Sequence, residues 1–473
     1  MKNWIWACLL LTGCRVVGPN YQPPQNCVPD TWTSDPCCGE SAPCAWWEQL
    51  QDPFLNRYIE AAAYHNNDIL TAEARIYQAR AMRQVAASSL FPQLNLQSDV
   101  SRTYFSKNGP VFAIGSGQVS GTTGLPFQIQ IPQVQNLFTS LIDASWEIDL
   151  FGKIRRSVEA ADATIGSAIE ERNGVLITVL AEAARNYIDL RSAQQRGVLI
   201  EENISLLEEE LALVQKQREK GLVDRIAVES AKAELAELKA SLPPICAEIY
   251  QYMYALSTLT GVLPETLVEE LLPLYPLPQI PKEIGCGLRS DIIRRRPDVR
   301  QAERDLAAAT ANIGVAVASF FPSFSLSADL GLQSLMLSNF FQPRSITWSI
   351  GASSTLPIYQ GGNLVGNLHL SKGEAMAAAY TYQQTVLNAL EEAESALIAY
   401  TREVEAAYQL DYAVKKYAEI SCLTTDQFEK GLASRIDVIN SRRRLNDAKQ
   451  QALERDTAVL LDLVALYKAL GGV

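Results

Sequence analysis

Histidine is almost absent from this chain, with only His65 and His369 in 473 residues. Imidazole-based metal centres and catalytic triads are nearly excluded on supply alone. The sequence also lacks GxSxG, a phosphate-binding loop, HExxH and any paired CxxC. No enzyme chemistry, metal or cofactor is expected. A net charge of −12 with no long run of Lys and Arg argues against nucleic acid as a partner. No segment reaches 18 consecutive apolar residues, so no membrane-spanning helix is expected either. Core material is ample all the same: 48% of the residues are hydrophobic and only 20% charged, far from a disordered composition.

The N-terminus reads MKNWIWACLLLTGC. Lys2 precedes a short apolar stretch, Trp4 to Leu11, too short to span a bilayer, so residues 1–13 read as a signal peptide. Small residues before a cysteine resemble the bacterial lipobox, which would leave Cys14 as a lipidated first residue. An ordinary signal peptide with an incidental cysteine is the alternative. Arg15 rather than Asp after Cys14 favours sorting to the outer membrane over retention at the inner one. Of nine cysteines, Cys27, Cys37, Cys38 and Cys44 cluster in a Pro-rich stretch. Disulfides or free thiols suit an oxidising compartment there; a metal cluster is the alternative, although the spacing matches no established zinc pattern.

The chain says one thing twice. QREKGLVDRIAV (Gln217–Val228) returns 210 residues later as QFEKGLASRIDV (Gln427–Val438), with eight of twelve positions identical. The flanking patterns repeat as well. A helix expected over about Asp68–Ser89 stops at Phe91-Pro92, and another over Asp298–Ser319 stops at Phe321-Pro322. After each proline the apolar period falls from 3.6 to 2. Two strands of about 12 residues follow Pro92 and two more, somewhat shorter, follow Pro322, the first two long enough for a tilted bilayer crossing. Then come Pro-free helices over Gly152–Arg218 and Gly362–Lys430. Their seams, Leu176, Leu180, Ala183, Tyr187, Leu190 and Val386, Leu390, Ala393, Leu397, Tyr400, step by 4 and 3 as a coiled coil requires. Gly221 and Gly431 end these helices, and shorter helices return, the first disturbed at Pro243-Pro244. Each short helix plus its returning helix would match one long helix in length. The expected domains are a linker at 14–51, a first repeat at 52–262, a second linker at 263–290 and a second repeat at 291–473.

Four amphipathic strands expose an apolar face and two edges, which a bilayer tolerates only in a closed barrel. Four cannot close alone. Two chains would give eight strands and a filled interior, three would give twelve and a passage. The polar phase, Asn95, Asp99, Asp143, Glu147, Asp149 and Asp329, would then face the lumen. A soluble β-sandwich with one wet face is the alternative.

Three segments carry a family resemblance: Val17-Gly18-Pro19-Asn20-Tyr21, SWEIDLFGKIRRSVEAA (Ser145–Ala161), and GLRSDIIRRRPDVRQAERDLAAATANIGVAVASFFPSFSLSA (Gly287–Ala328). They resemble outer-membrane factor lipoproteins of RND-type efflux systems, in the TolC superfamily. The resemblance implies an α+β membrane protein. Four strands per chain would complete a trimeric 12-stranded outer-membrane β-barrel, continued by a long α-helical periplasmic tunnel. It implies a homotrimer held by outer-membrane lipid, working with a periplasmic adaptor protein and an inner-membrane RND transporter. It makes Gly221, Leu222, Val223, Gly431, Leu432 and Ala433 docking points for the adaptor. It makes Arg435, Asp437 and Asn440 a periplasmic gate, with Arg435 the local candidate to neutralise Asp437. Asp437 could instead only solvate a helix start, and the RRRPD arginines could do the same before Pro297. The expected function is an export duct for small molecules. A duct for protein or peptide secretion and a structural envelope-spanning lipoprotein are the alternatives.

Overall fold

The computed structural model describes residues 16–24, 32, 45–108, 132–281, 284–285 and 289–472. Cys14, the cluster Cys27, Cys37, Cys38 and Cys44, and the glycine-rich stretch 115–124 lie outside the described residues. Two compact units form. One contains Met1–Gln22, Arg80–Ala163 and Ala307–Ala377; the other contains Pro23–Ala79, Thr164–Leu306 and Ala378–Val473. Among the described residues no helix is long and apolar enough to cross a membrane.

The first unit holds a four-stranded antiparallel sheet in the order β1 (Gln93–Tyr104), β2 (Val134–Ile148), β3 (Ser323–Ser334), β4 (Ile346–Thr355). The strands follow directly from the period-2 pattern, and β2 extends further toward its N-terminal end than that pattern indicated. One row across the sheet reads Leu96, Ile142, Leu330, Trp348, and the next reads Asn95, Asp143, Asp329, Ser349. One face is therefore apolar and the other polar. Among the described residues nothing covers the apolar face: Leu96 is 71% exposed and Ile350 78%. Twelve residues of β1 at about 3.3 Å each reach roughly 40 Å, enough for a tilted bilayer crossing. Aromatic side chains gather where strands meet helices, with Phe151 stacked on Phe321 at 4.7 Å and the Trp146 indole donating to the Leu90 carbonyl at 2.9 Å.

The helices are α1 (Pro53–His65), α2 (Asn67–Ser88), α3 (Lys153–Glu219), α4 (Arg225–Leu259), α5 (Val268–Leu271), α6 (Asp291–Arg295), α7 (Pro297–Ala318), α8 (Asn363–Glu429) and α9 (Arg435–Ala469). α1 starts as its sequence asks, with Pro53 in the first turn and the Asp52 carboxylate accepting from Phe54 and Leu55 amides. α3 and α8 each run 67 residues, roughly 100 Å at 1.5 Å per residue. Their heptad seams are the core of the second unit: Leu180, Ala183, Tyr187 and Leu190 are buried, as are Val386, Leu390, Ala393, Leu397 and Tyr400. The disturbance expected at Pro243-Pro244 does not break α4. The carbonyls these prolines leave without donors belong to exposed Lys239 and Ala240, where water can serve them.

In each repeat the start of the short helix is tied to the end of the returning helix. Asn66, buried, donates to the Leu259 carbonyl at 3.0 Å and accepts from the Asp68 amide at 2.8 Å. Arg296 stands in the matching place. It donates to the Ala469 carbonyl at 3.0 Å, to both Asp298 oxygens at 3.0 and 2.7 Å, and to Glu392 at 2.7 Å. Gly261 and Gly471 complete the joints at φ +73° and +74°, and at each a Cβ would meet backbone. Arg296 is only 7% exposed, so it does not solvate a helix start. It binds three helices together.

Candidate functional site

Two features stand out as candidate sites: the hairpin turns and the polar face of the sheet. The turns are built alike. Gly221 and Gly431 sit at φ +71° and +75° with nothing within 4 Å of where a Cβ would be. The Leu222 amide bonds to the Gln217 carbonyl and the Gly221 amide to Arg218; Leu432 and Gly431 repeat this with Gln427 and Phe428. Both are Schellman closures, which satisfy the last helical carbonyls. Leu222 and Leu432 are exposed at the tips, Val223 and Ala433 half-buried beside them. Ile226, not singled out from sequence, is a further exposed apolar group at the first tip, 72% exposed.

The chemistry of the two helix starts is exchanged rather than copied. In the first turn Asp224 is the N-cap and accepts from the Ala227 amide at 2.9 Å. In the second the N-cap is Ser434 and the carboxylate has moved to Asp437. The Ser434 hydroxyl accepts from the Asp437 amide, and the Asp437 carboxylate accepts from the Ser434 amide at 2.8 Å and its hydroxyl at 2.7 Å. This is a capping box. Each turn keeps one carboxylate at a helix N-terminus, where the backbone dipole favours it. The Ser434 hydroxyl and amide hold the Asp437 carboxyl below the usual range.

Arg435 does not pair with Asp437. Its guanidinium grips Glu209 of α3 with two bonds, 2.6 and 2.9 Å, while lying over the Phe428 ring. Arg435 in turn holds Glu209 below the ordinary carboxylate range, helped by Arg442. Further along α9, Arg443 pairs with Glu210 of α3 and Glu234 of α4, and Asn446 donates to Asn203 at 3.1 Å. The corresponding arginine of the first turn, Arg225, is 80% exposed along its side chain and reaches only Glu229 at 3.9 Å. Asn440 is exposed. Nothing local in the sequence pointed to Glu209, which lies 226 residues from Arg435. The capping box was legible as Ser-x-x-Asp.

On the polar face, Asp143 and Asp329 are direct cross-strand neighbours, bridged outward by Asn95 at 3.1 Å and Ser349 at 2.7 Å. Asp99 lies on the same face opposite Thr139, and Glu147 opposite Ser325. Asp149 does not belong with them. It falls one residue past β2, and its carboxylate, 8% exposed, accepts from the Arg155 amide at 2.9 Å and its guanidinium at 3.3 Å. It anchors the first turn of α3 because Leu150–Gly152 turn the chain out of the sheet.

The three segments that carry the resemblance meet in one place. Arg156 is buried and donates to the Val17 carbonyl at 3.2 Å, the Gly18 carbonyl at 3.3 Å and Asn20 Oδ1 at 2.7 Å. Gly18, at φ +93°, crosses Gly314 so closely that a Cβ would lie 2.5 Å from its Cα. The chain just after the expected lipid site is thereby fastened where strands meet helices.

A family model described as outer membrane efflux protein matches residues 58–262 and 288–472. The chain is 31% identical over 441 residues to nodulation protein T of Rhizobium leguminosarum bv. trifolii, covering 93% of this chain and 90% of the relative. It is 28% identical over 475 residues to the probable efflux pump outer membrane protein TtgC of Pseudomonas putida, covering 98% and 93%. The solved outer-membrane channel OprN superposes with a TM-score of 0.84 at 29% identity, over 97% of this chain and 99% of that one.

Proposed function

This chain belongs to the outer membrane efflux protein family, and we propose that it works as the outer-membrane duct of a tripartite efflux pump. The protein is an outer-membrane channel, four strands of each chain entering a trimeric twelve-stranded barrel and the long helices extending into the periplasm. It belongs to a family of ducts, and we assign it no catalytic step. The observation that carries the reading is the sheet with one polar face and, among the described residues, one uncovered apolar face and two open edges. Such a sheet suits a lipid bilayer only when closed by copies of itself. Asp99, Asp143, Glu147 and Asp329 would line the lumen.

A periplasmic adaptor would dock on the exposed apolar tips at Gly221, Leu222, Val223, Gly431, Leu432 and Ala433, and an inner-membrane RND transporter would supply the cargo. Acyl chains on Cys14 would hold the N-terminus, each buried CH₂ contributing about 0.8 kcal/mol. Cys14→Ser should abolish lipid labelling. The gate would lie on the second hairpin, where Arg435 latches α9 to α3 and Asp437 and Asn440 face solvent. The test is complementation. In a Gram-negative host lacking its own channel, this chain with a matched adaptor and RND pump should lower intracellular drug accumulation. Asp at Leu222 and Leu432 should remove that effect while leaving the trimer intact. Unchanged accumulation with wild-type trimer in the outer membrane would overturn the efflux reading.

A further inference from the structure

Five helices of the second unit, α2, α3, α7, α8 and α9, surround a cleft of about 980 Å³. That volume lies in the range of sites that take small organic molecules. Its floor is small and apolar, with Ala72, Val175, Val179, Ala396 and Ala469 in the lining. Gly174 of α3 keeps part of that floor empty. No positive φ calls for glycine there. Beyond its own helix an added Cβ would meet only Pro297 Cβ, at 3.9 Å, an ordinary van der Waals distance. Glycine inside a helix is destabilising against alanine, and neither a turn nor close packing accounts for it here. The duplication does not impose it either, because the matching position of α8, 210 residues on, holds Gln384.

The walls of the cleft are acidic. Six carboxylates and three cations line it, a formal excess of three negative charges. Arg75 is engaged by Glu171, and Arg296 by Asp298 and Glu392. Asp68 on α2, Glu182 on α3 and Glu391 on α8 remain. All three are exposed, and among the described residues none has an ion-pair or hydrogen-bond partner for its side chain. Of the cations in the lining, Lys468 alone is not already engaged. Three unanswered carboxylates thus stand on three different helices around an apolar floor.

We infer that this cleft binds an organic cation with an apolar body, such as a hydrophobic ammonium or phosphonium ion. The apolar body gains by leaving water for the floor, and the positive charge is drawn by the carboxylates at the walls. An organic anion of the same shape meets the negative excess and is repelled. A bare metal ion is not served, because among the described residues no three His, Cys, Asp or Glu side chains are grouped to hold one. The inference gives the efflux reading a cargo class and rests on that reading to this extent; binding itself requires only the fold of the second unit.

Two probes of one shape and opposite charge test it, tetraphenylphosphonium and tetraphenylborate. Each is equilibrated with the full-length protein in nonionic detergent, against empty micelles as the blank. Tetraphenylphosphonium should bind saturably and more weakly as salt rises, and tetraphenylborate should show no saturable binding. Glu182→Gln with Glu391→Gln should weaken the phosphonium about fivefold or more. Gly174→Leu puts a side chain into the open floor and should abolish saturable binding, with melting no lower than wild type because leucine favours the helix. Gly174→Ala should keep the binding, and Asp437→Ala, at the second hairpin turn, should leave it unchanged. Equal binding of both probes, or undiminished phosphonium binding in Gly174→Leu, overturns the site and leaves the efflux reading standing. A protein that binds the phosphonium but fails to lower drug accumulation in the complemented host loses the cargo role and keeps the site.

Discussion

The two repeats keep the same backbone and put different side chains to the same task. At the joint between short and returning helices, the first repeat uses neutral Asn66 on the Leu259 carbonyl, and the second uses Arg296 on Ala469, with Asp298 and Glu392 around it. At the hairpin turns the first repeat caps with Asp224, the second with Ser434 and Asp437 together. Only the second turn is fastened to the other hairpin, through Arg435 and Glu209, whereas Arg225 stays extended in solvent. Geometry is inherited through the duplication, and charge is free to diverge wherever the backbone bond it serves can be met in another way. The second hairpin carries the divergence on which the proposed gate rests.

The largest difference between repeats is expected at the joints. Arg296→Ala leaves the Ala469 carbonyl unmet and takes the cation from two half-exposed carboxylates, costing about 2–3 kcal/mol. Asn66→Ala loses neutral hydrogen bonds and costs about 1–2 kcal/mol. Thermal melting of the detergent-solubilised protein separates them, and equal losses would mean that the charge at the second joint adds nothing.

The latch comes next. Arg435 and Glu209 are partly solvated, so Glu209→Gln should cost about 1 kcal/mol or less. Its pH dependence has a fixed sign. The folded state holds Glu209 below its ordinary value of 4.5, so the contribution is complete above that pH and disappears as the pH falls through the lower folded value. A stability step below pH 4.5 that vanishes in Glu209→Gln is expected. A loss on raising the pH instead would show that the pair is not the latch.

The smallest effect is expected from exchanging caps. Asp224→Ser combined with Ala227→Asp gives the first turn the second turn's capping box and should leave melting unchanged. A clear loss would mean that the two caps are not interchangeable.

Most of this arrangement was legible in the residues. Alternation after Pro92 and Pro322 located all four strands because each has one polar face, and the 4-3 stepping through Leu180 and Leu390 located the buried seams. The repeat at Gln217 and Gln427 located both turns. What could not be read was any pairing between distant polar groups. Glu209 has no local signature that singles it from Glu208 or Glu210, and Arg296 looked like any basic residue before Pro297. Asp149 followed the alternation by one residue too many, because period-2 patterning does not register where the chain leaves the sheet.

We propose that Arg435 on Glu209 holds the second hairpin in place and thereby narrows the duct. Single-channel conductance of reconstituted trimers in planar bilayers tests it most directly. Arg435→Ala and Glu209→Gln should each raise conductance severalfold over wild type, while Asp224→Ala, which removes only a cap on the first turn, should leave it within experimental scatter. Wild-type conductance in both latch variants, with trimers intact, would contradict the claim.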